Sequence, residues 1–89
     1  MIALNNKPDI RVKNVDFSDD LLIVELMDRR IISAPIVWYP RLFNASDKDR
    51  MNWTISAGAY GILWESIDED LSSEGLLIST KSPEMIELV

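Results

Sequence analysis

The chemistry open to this chain is limited by what it lacks. Its 89 residues include no cysteine and no histidine, which excludes thiol nucleophiles, disulfides, thiolate or imidazole metal sites and a histidine general base. What remains is a carboxylate run, Glu65, Asp68, Glu69 and Asp70, with Glu74 close behind. Carboxylates this closely spaced could ligate Mg²⁺ or Ca²⁺. Against a calcium loop, Gly75 falls eight positions in, counting Asp68 as the first, which is later than such a loop places its glycine. Two-carboxylate hydrolysis needs a defined cleft that a sequence cannot display. The competing reading is structural: Asp70 or Ser72 caps a short helix carrying Leu71, Leu76, Leu77 and Ile78, and the other carboxylates form a solvated face. On these grounds no catalytic, cofactor-binding or metal-ligating residue is assigned, and no cofactor is expected.

Two other patterns invite a chemical reading. Trp38, Tyr39, Leu42 and Phe43 cluster near Arg41, Lys48 and Arg50, and aromatics beside cations can stack single-stranded nucleic acid. Three cations are too few to track a phosphate backbone, so these aromatics read as core. Gly58-Ala59-Tyr60-Gly61 has the outline of a phosphate-cradling loop. It lacks a flanking cation and a following helix, so a glycine needed for positive φ in a turn is the simpler reading.

Charge is unevenly placed. Residues 1–64 hold eight acids and eight bases, while residues 65–89 hold seven acids against Lys81, so the net charge of −6 lies in the last 25 residues. With a pI near 4.4, direct binding to a phosphate backbone is not expected. An acidic end favours association with a basic protein.

The elements that must position these groups follow from periodicity. Ile10 and Val12 alternate with Arg11 and Lys13, and Val15 and Phe17 continue in the opposite phase, a slip that a β-bulge near Lys13-Asn14 produces. Residues 21–27 form a second strand, central because both faces are largely apolar. Asp28-Arg29-Arg30 turns the chain, and residues 31–34 form a third strand that Pro35 ends. Pro40 limits any helix around Trp38 to a short piece. Ser46 caps a helix running to about Asn52. Residues 56–59 read as flexible and residues 60–64 as a fourth strand. Trp38, Leu42, Phe43, Met51 and Trp53 are expected to pack on one face of the sheet. Ser82-Pro83-Glu84 starts a final turn, apolar on one side and free to fray or dock in trans. The expected architecture is one α+β domain over residues 1–89, an antiparallel meander of three to four strands with short helices on one face. Residues 79–89 form a tail or short helix. No targeting or membrane segment is visible, so a cytoplasmic protein is expected.

Trp38-Tyr39-Pro40-Arg41-Leu42, Asp49-Arg50, Asn52-Trp53, Gly61-Ile62-Leu63-Trp64 and the run from Ile67 to Leu77 together resemble the domain-of-unknown-function family 2442, over about residues 10–78. The resemblance implies a small α+β protein without established enzymatic activity. Some members carry an added helix-turn-helix domain, and others are encoded beside a small basic partner in arrangements like toxin–antitoxin modules. This chain departs from the family pattern at Arg29, where the hairpin usually has glycine, at Leu63, where histidine is common, and at Ser66, where proline is common. No added helix-turn-helix is expected after the matched residues, so direct DNA reading is not expected. The functional expectation is a non-enzymatic, antitoxin-like interaction module. Its acidic face, Glu65, Asp68, Glu69, Asp70 and Glu74, takes a small basic protein. Homo-oligomerisation stays open, and the alternatives are a carboxylate-dependent metal protein or enzyme and a transcriptional regulator.

Overall fold

Period-two alternation builds the first sheet. In the computed structural model, which describes residues 7–80, β1 (Val12–Ser18), β2 (Leu21–Leu26) and β3 (Ile31–Pro35) pair antiparallel with β2 central. Leu22, Val24 and Leu26 face inward and are buried, and Ile32 and Ala34 extend that face onto β3. The register slips between Val12 and Asn14. This bulge leaves both Lys13 and Asn14 exposed while Val12 and Val15 stay buried. The expected meander and its phase slip are both present.

Proline changes the architecture after β3. A 3-10 turn at Ile36–Trp38 leads to Pro40, the first residue of α1 (Pro40–Phe43), where a missing N–H costs no hydrogen bond. Ser46 caps α2 (Asp47–Arg50), its hydroxyl accepting from the Asp49 N–H at 3.1 Å. The helix ends at Arg50, short of the expected Asn52.

Three short strands then form a second antiparallel sheet: β4 (Thr54–Ile55), β5 (Gly61–Trp64) and β6 (Glu69–Ser72), with β5 central. Residues 57–59, read above as flexible, form a 3-10 turn. α3 (Ser73–Thr80) follows and packs against β3 and β6. The expectation of a helix carrying Leu71 is corrected here. Leu71 lies in β6 opposite Ile62, and Asp70 lies opposite Leu63. The cap is Ser72, whose hydroxyl accepts from the Gly75 N–H at 2.9 Å. Glu69 and Leu71 are half-buried, whereas Asp70 and Ser72 are exposed, the alternation of a strand with one covered face.

One core lies between the sheets, with Trp64 at its centre. Its side chain is fully buried and meets Phe17 edge-on, with ring centroids 6.5 Å apart. Of the five residues expected on one face, Leu42 is buried and Trp53 is half-buried against the core. Phe43 and Met51 instead face solvent at 52% and 55% exposure, and Trp38 lies half-buried outside the core cluster. For Phe43 the reason is length: a single-turn α1 has one inward position, and Leu42 occupies it. The turn expected after Ser82 lies outside the described residues. No helix among the described residues is long and apolar enough to cross a membrane.

Candidate functional site

The acidic run is organised by an arginine from elsewhere in the chain. Pro40 starts α1, which sets Arg41 on the first turn, and its guanidinium donates to the backbone carbonyl of Asp68. The same Nη1 lies 3.8 Å from Glu69 Oε1 and 3.9 Å from Asp68 Oδ2. Asp68 has φ 55°, and this left-handed residue turns the chain from the 3-10 turn Glu65–Ile67 into β6. Aspartate tolerates that conformation better than most side chains.

A groove of about 290 Å³ results, lined by Arg41, Leu63, Trp64, Glu65, Asp68, Glu69 and Asp70. Four carboxylate residues and one guanidinium line it, and the carboxylates beside the guanidinium are those of Asp68 and Glu69. Glu65, Asp68 and Asp70 are exposed, while the Glu69 side chain is only 17% exposed. Burial pushes the Glu69 carboxyl above its ordinary range, with Arg41 opposing and the charges of Asp70 and Asp68 adding to the rise. Four of the five expected face residues therefore share one groove. Glu74 stands apart on the first turn of α3, exposed, where a carboxylate suits the helix dipole. No group of three residues able to hold a metal ion occurs among the described residues, because a strand sends Glu69 and Asp70 to opposite sides.

The other sequence patterns resolve into supports. Arg50 donates from Nε to the Leu42 carbonyl at 2.8 Å, which also accepts from the Ala45 N–H, and from Nη2 to the Phe43 carbonyl at 2.9 Å, at the end of a helix too short to satisfy its own last carbonyls. The Trp64 indole N–H donates in turn to the Arg50 carbonyl at 2.9 Å. Both arginines near the aromatics are thus engaged with backbone, and the aromatics do not share an exposed face. Gly58 has φ 83°, the positive φ read for it above. Gly61 is small for a separate reason: a Cβ there would lie 2.8 Å from Ser56 Oγ. The loop leads into β5 rather than a helix.

Tyr39 is half-buried against the core. Its hydroxyl is enclosed beside that of Ser79, whose proton is directed to the carbonyls of Gly75 and Leu76, so Tyr39 gains no hydrogen bond from it. Burial raises the phenol pKa above its ordinary value, against the opposing influence of Ser79. Sequence reasoning did not identify Arg41 as the organiser. Its contact with Asp68 spans 27 residues, and nothing within either segment announces it.

Comparison with known proteins agrees with this architecture. The family model described as protein of unknown function (DUF2442) matches residues 12–81. A crystal structure of a protein of unknown function from Rhodospirillum rubrum ATCC 11170 is similar, with 31% identity and a TM-score of 0.67, covering 78% of this chain and 86% of that one. No curated protein matches.

Proposed function

Because the chain belongs to the DUF2442 family, for which no function is established, we propose its role from the charge of the groove. The protein is a non-enzymatic interaction module whose acidic face covers a small basic protein, as an antitoxin covers its toxin. One observation carries this reading: Glu65, Asp68 and Asp70 are exposed around a groove that holds one cation, Arg41, which already donates to a backbone carbonyl. Such a site has net negative charge and room for a lysine or arginine side chain. Exposed charges of one sign steer encounter more than they raise affinity. Glu69 belongs to the fold through Arg41, so the recognition carboxylates are Glu65, Asp68 and Asp70.

The test is association with a small lysine- and arginine-rich protein, timed at two salt concentrations. Replacing Asp68 and Asp70 with asparagine keeps the left-handed turn at Asp68, because asparagine also tolerates that conformation. Slower association at low salt, with a flatter salt dependence, supports the reading. Equal rates for wild type and double variant at low salt remove the groove from the recognition surface.

A further inference from the structure

The acidic groove does not end at Leu63. Ile62 and Trp64 are buried in the core, so the alternation of β5 puts Leu63 on the outer face of the second sheet, across from Asp70. Leu63 and Asp70 also line a second, larger hollow of about 440 Å³. Two positions along the same face, Gly61 lies opposite Ser72. Gly61 brings no side chain, so the surface there sinks to the backbone. Ser56, Tyr60 and Leu71 complete this part of the lining, and Tyr60 is 53% exposed. Among the described residues, Asp70 is the one charged group that borders the second hollow. The two hollows meet at the Leu63–Asp70 pair, one rich in carboxylates and the other mainly apolar and hydroxyl-lined.

We propose that the two hollows together take one extended segment of a basic partner protein. An arginine or lysine side chain of that segment lies among Glu65, Asp68 and Asp70, and a leucine-sized apolar side chain fills the second hollow. This rests on the acidic-groove reading above and adds the sequence character of the segment that enters. Charge selects the occupant. A second copy of this chain has a net charge of −6 and would be repelled. Outside the described residues, 1–6 hold no lysine or arginine, and 81–89 hold Lys81 against Glu84 and Glu87, so neither segment brings net positive charge. In an extended segment, side chains two positions apart share a face and stand about 6.8 Å from each other. Gly61 and Leu63 are separated by the same step on β5. A cation and an apolar side chain at that spacing therefore reach to either side of the Leu63–Asp70 pair, the long aliphatic stem of the cation covering Leu63.

The probe is the pentapeptide Leu-Ser-Arg-Ser-Leu, acetylated and amidated, whose leucines flank the arginine at that spacing in either chain direction. Ser-Ser-Arg-Ser-Ser and Leu-Ser-Ser-Ser-Leu, blocked in the same way, are the controls. Amide shifts of the isotope-labelled protein are followed at low salt up to about 5 mM peptide, a range suited to a short ligand that is ordered on binding. The full peptide is expected to bind about fivefold tighter than either control, and to shift residues 61–63 and 70–72 together with Glu65 and Asp68. Tyr60→Ser and Leu63→Thr, each checked for folding by its urea midpoint, should reduce the gain from the leucines and leave the arginine control within about twofold of wild type. Leucines that add nothing to the arginine control overturn the proposal and leave the acidic groove standing. An arginine control unmoved by Asp68→Asn with Asp70→Asn removes the acidic-groove reading itself, and this proposal with it. A leucine control that binds as tightly as the full peptide also overturns it, as does the absence of any shift with all three peptides.

Discussion

The two three-stranded sheets are held together by different means. The first has strands of five to seven residues, joined by tight hairpins, and its inner face is a regular aliphatic row. It is held by burial, at roughly 25 cal/mol for each Å² of apolar surface removed from water. The second has strands of two to four residues, too short to stand alone. It is fastened by a few long-range bonds. The Arg41 guanidinium reaches the Asp68 carbonyl, the Trp64 indole reaches Arg50, and the Ser73 N–H reaches the Tyr60 carbonyl at 3.0 Å. The contrast shows how a small domain can extend past its locally encoded half: one buried aromatic and a few polar ties replace a second aliphatic row.

The sharpest way to break this comparison is to remove the aromatic. Trp64→Ala is expected to cost about 3–5 kcal/mol in urea unfolding, and more than Trp53→Ala, whose ring is only half-buried. A loss under about 1 kcal/mol would mean that the second sheet does not depend on Trp64. Next comes Arg50→Met, which keeps the aliphatic stem but removes the donor to the Phe43 carbonyl and one of the two donors to the Leu42 carbonyl. A loss of about 1–3 kcal/mol is expected, with amide exchange accelerated around α1 and β5 and unchanged in β2.

Acid sharpens the comparison from the side of the first sheet. Asp28 accepts from the Asp9 N–H at 2.9 Å and from Arg30, and Arg30 chiefly holds its carboxyl down at about 2. A carboxyl with a lowered folded-state pKa adds stability that is present above its ordinary range and lost as pH falls through about 2. Glu69 in the second sheet acts in the opposite sense. Its raised pKa means that burying the charged form works against folding near neutrality, and protonation relieves that. Asp28→Asn should therefore flatten the acid side of the urea-midpoint profile, whereas Glu69→Gln should remove a small gain on acidification. The reverse pattern would undo the assignment of the two carboxyls. The smallest effect is expected for Asp68→Asn with Asp70→Asn, within about 0.5 kcal/mol of wild type by urea unfolding, since both side chains are exposed.

What could be read from the sequence follows the same division. The meander was legible because Val12, Val15, Leu22, Val24, Leu26 and Ile32 repeat at the period of their own local structure, and even the slip at Lys13-Asn14 shows in that rhythm. The Ser46 cap and the Pro40 start are also local signals. β6 was not legible, because Leu71 next to Leu76 and Leu77 looks helical until Ile62 is known to lie beside it. The burial of Leu42 in place of Phe43 depends on α1 being one turn long, which Pro40 hinted at without deciding which residue turns inward. The acidic run was visible as a cluster. The placement of Glu69 under Arg41, and the separation of Glu74 from the groove, depend on pairings that no local pattern encodes.

Trp64 gives the molecule an optical gauge of its own. Its indole is shut away from water with its N–H held by the Arg50 carbonyl, whereas Trp38 and Trp53 are each partly open. Its emission should therefore sit at the blue edge of the spectrum, apart from the redder light of the other two. Trp64 also forms part of the wall of the acidic groove. A guest entering there would lie against the strand that carries the one indole solvent does not already perturb, and its arrival could be followed without attaching a label.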